Sequence, residues 1–86
     1  MQNSIKRVKI YGAEWCPYCV SAKKLFTNLE IDFDYIDVDQ HQNEKDQIQK
    51  QYNWDTVPMI FIDGKFEGGF SDVSAKLRSG KINFDI

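Results

Sequence analysis

The two cysteines of the chain lie two residues apart, in the segment Cys16-Pro17-Tyr18-Cys19. An apolar run ends at Tyr11 shortly before them, and a segment with helical spacing follows them, so they fall at a predicted strand-to-helix junction. Thiols at this spacing can close a small disulfide and open it again. Because the thiolate is the form that attacks a disulfide, the position of each sulfur relative to the helix decides its reactivity.

Cys16 is predicted to lie at the N-terminus of this helix, where Pro17 fits the first turn because its missing N–H is not needed there. The unpaired N–H groups of Tyr18 and Cys19, together with the helix dipole, favour negative charge at this end. Cys16 is therefore the predicted nucleophile. Cys19 comes one turn later, is expected to be more buried, and is the predicted resolving thiol. The lysines at 23–24 are expected to be exposed and screened, so they contribute less.

A structural disulfide and half of a metal site are the alternative interpretations of the cysteine pair. A zinc site needs about four ligands. The other soft ligand in the sequence is His41, in a polar segment well beyond the cysteines, where it is interpreted as a solvated residue at the start of a helix. We therefore favour a redox dithiol and expect no bound metal.

The bulk composition narrows the class of protein. With 86 residues, 42% of them hydrophobic, the chain can form one small domain spanning residues 1–86. The net charge of −2 gives no argument for nucleic acid or a membrane surface as the main partner. No apolar run has transmembrane length, and the first residues lack the apolar core of a signal peptide. We therefore expect a cytoplasmic monomer, in which a CxxC pair indicates redox chemistry.

Hydrophobic spacing predicts the element order β-α-β-α-β-β-α. The four strands are expected at residues 5–11, 31–38, 59–62 and 65–67. The first helix is expected to begin at Pro17 and the second to span 39–52. The third is expected to begin at a cap formed by Ser71 or Asp72. A helix between the first two strands requires them to be parallel, so a four-stranded mixed sheet with helices on both faces is predicted.

The cysteine pair and two later motifs together resemble the dithiol glutaredoxins over essentially the whole chain. The motifs are Cys16-Pro17-Tyr18-Cys19, Thr56-Val57-Pro58 and Gly68-Gly69-Phe70-Ser71-Asp72. The resemblance implies an α/β, thioredoxin-like fold, which agrees with the predicted element order. It also implies a thiol–disulfide oxidoreductase that reduces protein disulfides and glutathione mixed disulfides, with glutathione as reductant. Enzymes such as ribonucleotide reductase would then receive its electrons.

The resemblance assigns a role to the segment Thr56-Val57-Pro58. In the family this proline follows a cis bond and faces the dithiol. The N–H and C=O of Val57 would then pair with the backbone of a substrate cysteine, a short β-like addition. Spacing alone favours an ordinary proline at the first residue of a strand. With the dithiol upstream and Gly68-Gly69 downstream, we favour the cis-proline site.

The resemblance also implies a binding site for the γ-glutamyl end of glutathione. Gly69 would allow close backbone approach, Phe70 and Ser71 would line the site, and Asp72 would take the ammonium group. Ser71 and Asp72 are equally compatible with an ordinary helix cap, and both roles can hold together. Tyr18 is expected to be exposed beside the thiols, within reach of a ligand.

The sequence departs from the family at two expected cations. Many glutaredoxins have a lysine three residues before the first cysteine and an arginine just before the Thr-Val-Pro motif, where this chain has Ala13 and Asp55. Lys45, on the predicted second helix, is the remaining candidate cation. The two losses are expected to weaken glutathione binding about tenfold or more. Trp15 resembles the thioredoxin pattern instead, and Trp15 and Trp54 are candidates for an apolar rim around the thiols.

Two other functions stay open at the level of sequence. A protein-specific electron donor recharged by thioredoxin reductase is favoured by the missing cations and by Trp15. A carrier of a [2Fe-2S] cluster, held between two subunits with glutathione, is disfavoured in the family when a proline such as Pro17 follows the first cysteine.

Overall fold

The computed structural model describes residues 7–84. Within them the elements follow the predicted order. The strands are β1 (Val8–Gly12), β2 (Phe33–Asp37), β3 (Met59–Ile62) and β4 (Lys65–Gly68). The helices are α1 (Pro17–Asn28), α2 (Gln42–Tyr52) and α3 (Phe70–Ser79), and a 3₁₀ turn (Val38–Gln40) precedes α2.

The four strands form one mixed sheet in the order β2-β1-β3-β4. β1 is parallel to β2, with Val8 opposite Phe33 and Gly12 opposite Asp37, and antiparallel to β3. β3 and β4 form an antiparallel hairpin. The predicted α/β architecture is confirmed, and it places the loop that follows Gly12, which leads to Cys16 and the start of α1, at the end of a central strand.

Alternation along β1 divides the core between the two faces of the sheet. Val8 and Ile10 are fully buried against Phe26 of α1 and Val73 of α3. Tyr11 belongs to a second cluster, against which Ile48 of α2 packs. The helices therefore cover both faces, as predicted. No helix within residues 7–84 combines the length and the apolar content that crossing a membrane requires.

Two predicted boundaries differ from the structure in ways that local backbone geometry explains. β2 is shorter than residues 31–38, because the Ile31 N–H donates to the Phe26 carbonyl (2.9 Å) and so belongs to the end of α1. Helix 39–52 is interrupted at His41, whose non-helical backbone (φ −141°, ψ 54°) makes it the exposed N-cap of α2. The predicted first two residues of the 5–11 strand lie outside the described residues.

Lys23 does not simply point into solvent. Its Nζ lies 4.3 Å from the centre of the Tyr35 ring and 3.5 Å from Glu14 Oε2. The α1 lysine therefore covers a tyrosine of β2 and links it to the loop before the cysteines.

Candidate active site

The two thiols occupy different environments at the start of α1. Cys16 is the N-cap of the helix, Pro17 is its first residue, and both cysteines are free thiols. The Cys19 N–H donates to Cys16 Sγ over 3.2 Å. The N–H groups of Tyr18 and Cys19 were both expected to stabilise the sulfur, and the Cys19 N–H makes this hydrogen bond. Cys16 keeps 5% of its surface exposed and Cys19 none, so the outer thiol is the one a substrate can reach, as predicted.

The inner thiol is held in its protonated form. Burial, and secondarily a hydrogen bond with Cys16, raise the pKa of Cys19 to about 12. The Ala13 backbone and the Tyr35 hydroxyl oppose this shift in the Cys19 pKa. At neutral pH the pair therefore consists of an accessible sulfur facing an N–H donor and a buried thiol that carries its proton.

The loop before β3 faces the outer thiol. The Val57–Pro58 bond is cis, as the resemblance implied, and Pro58 is buried. The Cys16 thiol donates to the Val57 carbonyl across 3.5 Å. The carbonyl expected to pair with a substrate backbone is therefore engaged by the reduced nucleophile. It becomes available when Cys16 loses its proton or forms a mixed disulfide.

Two grooves lie on either side of this loop, and Thr56 and Val57 form the wall between them. The first, here called the α2 groove, has a volume of about 490 Å³ and is lined by Trp15, Cys16, Val38, Asp39, Gln42, Lys45, Gln49, Asp55, Thr56 and Val57. The second, here called the α3 groove, has a volume of about 300 Å³ and is lined by Tyr18, Trp54, Thr56, Val57, Pro58, Gly69, Phe70, Ser71 and Asp72. Together the two grooves contain every residue that the sequence predicted to bind a ligand.

The start of α3 differs from the prediction by two or three residues. Gly69 is the N-cap, and Asp72 lies three residues later, with its Oδ2 accepting from the Gly69 N–H (3.0 Å). Gly68 has a φ of +104°, and a Cβ there would lie 2.8 Å from Asp72 Oδ2. Asp72 therefore caps α3 from a position within its first turn, by accepting from the N-cap N–H, and Ser71 is not the cap. Both side chains are exposed to the α3 groove.

The aromatic residues around the thiols have distinct settings. Trp15 is 68% exposed, and its Nε1 donates to Asp39 Oδ2 (2.9 Å). Tyr18 is also exposed and stacks on Phe70 with ring centres 6.2 Å apart. The half-buried Trp54 packs edge-on against Phe66 under the loop. Trp15 thus fits the predicted rim, whereas Trp54 mainly packs inside.

The α2 groove carries more negative than positive charge. Asp39 and Asp55 line it together with one cation, Lys45, whose Nζ lies 3.2 Å from Asp46. Ala13 is fully buried and offers the groove nothing in place of the family lysine. Within residues 7–84, no cluster of three or more His, Cys, Asp or Glu side chains is arranged to hold a metal ion.

Four polar residues of the site were not predicted from the sequence. Asp39, Gln42 and Gln49 line the α2 groove, and Tyr35 reaches Cys19 from β2. The two glutamines could have been found, because they lie three residues before and four residues after Lys45 and so share its helix face. Nothing in the sequence pattern marks Tyr35, since its role depends on a tertiary contact.

Comparisons with known proteins agree with this geometry. The sequence profile of the glutaredoxin family matches residues 8–67. A glutaredoxin of Pseudomonas aeruginosa is 36% identical over 76 residues, which cover 88% of this chain and 90% of the relative. Among solved structures, wheat glutaredoxin is 34% identical, with a TM-score of 0.82 over 88% of this chain and 73% of that one. A buckwheat glutaredoxin–glutathione complex is 32% identical, with a TM-score of 0.83 over 88% of this chain and 72% of that one.

The profile match covers well over half of the chain, and the relatives match along most of their own length. The dithiol, the cis-proline loop and the sheet order described above are consistent with these matches. The chain therefore belongs to the glutaredoxin family: it is a thiol–disulfide oxidoreductase with a thioredoxin-like fold, and Cys16 and Cys19 form its CxxC motif.

Proposed function

We propose that this protein reduces protein disulfides and glutathione mixed disulfides through both cysteines, and that glutathione returns it to the dithiol form. One observation carries the proposal: Cys16 Sγ lies between the Cys19 N–H and the Val57 carbonyl, beside the wall shared by two grooves. A sulfur in that position faces both a donor that stabilises its thiolate and a backbone segment that can align a substrate.

In the first step Cys16 attacks a sulfur of the substrate disulfide. A bond forms between the two sulfurs, the substrate S–S bond breaks, and the leaving sulfur departs as a thiolate. The Cys19 N–H compensates the charge on Cys16 before attack. As the Cys16 proton leaves, the Val57 carbonyl loses its donor and can accept from the substrate backbone.

In the second step Cys19 attacks Cys16, forming the internal disulfide and releasing the reduced substrate. Two glutathione molecules then restore the dithiol. The first forms a mixed disulfide with Cys16 and releases Cys19, and the second removes the first as oxidised glutathione. Electrons therefore pass from two glutathione thiols to one substrate disulfide.

Glutathione would lie in the α3 groove. Val57 would pair with its cysteinyl backbone, and Ser71 and Asp72 would hold its γ-glutamyl end, with Asp72 opposite the ammonium group. Lys45, on the far side of the shared wall, would attract a carboxylate. That a similar buckwheat glutaredoxin forms a complex with glutathione supports glutathione as a ligand.

Two matched variants test the assignment of the thiols. We expect Cys16→Ser to abolish glutathione-dependent turnover. Cys19→Ser should still exchange with glutathione mixed disulfides but fail to form an internal disulfide after reacting with a protein disulfide. Full turnover in the Cys16→Ser variant, measured by NADPH consumption with glutathione reductase, would show that the nucleophile is wrongly assigned.

A second candidate function is a protein-specific electron donor that thioredoxin reductase recharges. The acidic character of the α2 groove favours it, because Asp39 and Asp55 oppose the carboxylates of glutathione. The exposed Trp15, anchored by Asp39, offers an apolar contact for a protein partner such as ribonucleotide reductase. Fast reduction by thioredoxin reductase with slow reduction by glutathione would favour this function over the first.

A further inference from the structure

The hydroxyl of Tyr35 is buried and has no hydrogen-bond partner of good geometry within the described residues. The ring itself is half-buried between β1 and the Lys23 side chain. Buried hydroxyl groups in folded proteins are normally paired, because leaving one unpaired is unfavourable. We therefore expect this hydroxyl to gain a hydrogen-bond partner in another state of the redox reaction.

The hydroxyl shares its space with the resolving thiol. A Cβ built on Gly12 would lie 2.6 Å from the Tyr35 hydroxyl oxygen and 2.9 Å from Cys19 Sγ. Both atoms therefore border the same point at the end of β1. The absence of a side chain at Gly12 is what lets the β2 tyrosine and the α1 cysteine come together there.

The Cys19 sulfur is the group that a hydrogen bond from this hydroxyl would assist. It has to become a thiolate in order to attack Cys16, yet burial raises the pKa of Cys19 to about 12. Within residues 7–84, the Ala13 backbone and the Tyr35 hydroxyl are the two groups that act to lower the Cys19 pKa. A neutral thiol does not require the hydroxyl, but a buried thiolate does.

We propose that Tyr35 donates a hydrogen bond to the Cys19 thiolate and thereby accelerates the resolving step. The inference rests on the two-cysteine reaction proposed above but not on glutathione as the reductant. Within residues 7–84, Tyr35 faces four charged or titratable groups: Cys16, Cys19, Glu14 and Lys23. Burial first, and then the charges of Cys19 and Glu14, raise the pKa of Tyr35 itself, so it remains a donor while Cys19 titrates.

The step that Tyr35 assists balances as follows. The Cys19 thiolate attacks the Cys16 sulfur of a mixed disulfide; the Cys16–Cys19 bond forms, and the bond to the substrate sulfur breaks. Cys19 is oxidised, and the substrate sulfur leaves with the electron pair. The proton that Cys19 released passes to that sulfur or to water. Tyr35 keeps its own proton throughout and serves the same purpose in reverse, when Cys19 is the leaving group.

The test separates attack by Cys16 from resolution by Cys19. Dithiobis(nitrobenzoate) is an aromatic disulfide that releases one coloured thiolate at each step, so stopped-flow absorbance records the two phases without glutathione. In Tyr35→Phe we expect an unchanged first phase, and a second phase that is slower by about tenfold or more at neutral pH. The pH midpoint of that second phase should move upward.

Tyr11→Phe is the matched control, since it removes another tyrosine hydroxyl in the second core cluster, one that donates to Glu44. It should leave both phases unchanged. Tyr35→Phe should unfold no more easily than the wild type, because it removes an unpaired group. A second phase as fast as in the wild type, or equal slowing of both phases, would overturn the role of Tyr35. In the Cys19→Ser background Tyr35→Phe should change nothing.

Discussion

The Cys19 N–H donates to Cys16 Sγ over 3.2 Å, so the residue that carries the inner thiol also supports charge on the outer one. The same turn of α1 that withdraws one sulfur from solvent presents its amide to the other. The amide donor can stabilise negative charge on Cys16, whereas burial raises the pKa of Cys19, and this difference is the physical basis for assigning attack to Cys16 and resolution to Cys19.

The stability of the reduced protein should fall in alkali because of Cys19. Its pKa rises from 9.0 in the unfolded chain to about 12 in the folded protein. Between these values the unfolded chain has released a proton that the folded protein still holds, so stability decreases as pH rises. The expected slope is up to about 1.4 kcal/mol per pH unit. Denaturant unfolding between pH 9 and 11 should show the decrease in the wild type and a smaller one in Cys19→Ser, with equal slopes arguing against a protonated Cys19.

Gly12→Ala should destabilise the protein and disturb the dithiol. The new Cβ would lie within 3 Å of both the Tyr35 hydroxyl oxygen and Cys19 Sγ, closer than van der Waals contact allows. We expect a loss of about 1–3 kcal/mol in the free energy of unfolding, measured with urea. Gly64→Ala meets no atom within 4 Å, and although it strains a turn with φ of +82°, it should leave the thiol kinetics unchanged. An unaltered resolving rate in Gly12→Ala would contradict the crowding described here.

Asp72 should show two separable roles. Asp72→Ala removes the acceptor for the Gly69 N–H, so α3 should lose about 1 kcal/mol of stability. Asp72→Asn keeps an acceptor but removes the charge, so it should be nearly as stable as the wild type and still bind glutathione more weakly. Thermal unfolding and the KM for glutathione distinguish the two effects. Equal KM values for Asp72→Asn and the wild type would exclude the proposed contact with the ammonium group.

The charge of Asp55 should limit the use of glutathione. Asp55→Asn removes a carboxylate from the α2 groove, and we expect the KM for glutathione to fall about two- to fivefold at low salt. The improvement should shrink as ionic strength rises, because salt screens exposed charges. Asp32→Asn makes the same charge change just before β2, whereas the α2 groove lies at the other end of that strand, beside Val38. This variant should leave the KM unchanged. An equal response to both variants would indicate a general charge effect instead of a groove.

Much of the fold and of the site could be predicted from local pattern. The order of elements, the parallel pairing of β1 and β2, and the position of the cysteines at the start of α1 all follow from hydrophobic spacing and from Pro17. The cis bond before Pro58 followed from the family resemblance, because spacing alone favoured an ordinary strand start.

The remaining features depend on contacts that are distant in sequence. Asp72 looks like a helix cap, yet it lies three residues inside α3, because a side chain at either place can accept from the first N–H groups. Ile31 looks like strand but completes the end of α1. Tyr35 becomes a neighbour of Cys19 only when β2 pairs with β1, because both side chains then reach the space beside Gly12. The cytoplasmic location, the single domain and the monomeric state stay predictions from the sequence.

The measurement that tests the central claim most directly compares two reductants on the oxidised protein. One reaction contains glutathione, glutathione reductase and NADPH, and the other contains thioredoxin reductase and NADPH, with the return of the Cys16 and Cys19 thiols followed in both. We predict faster reduction by glutathione, despite Asp39 and Asp55. Reduction by thioredoxin reductase alone would contradict glutathione dependence and would assign the acidic α2 groove to a protein partner.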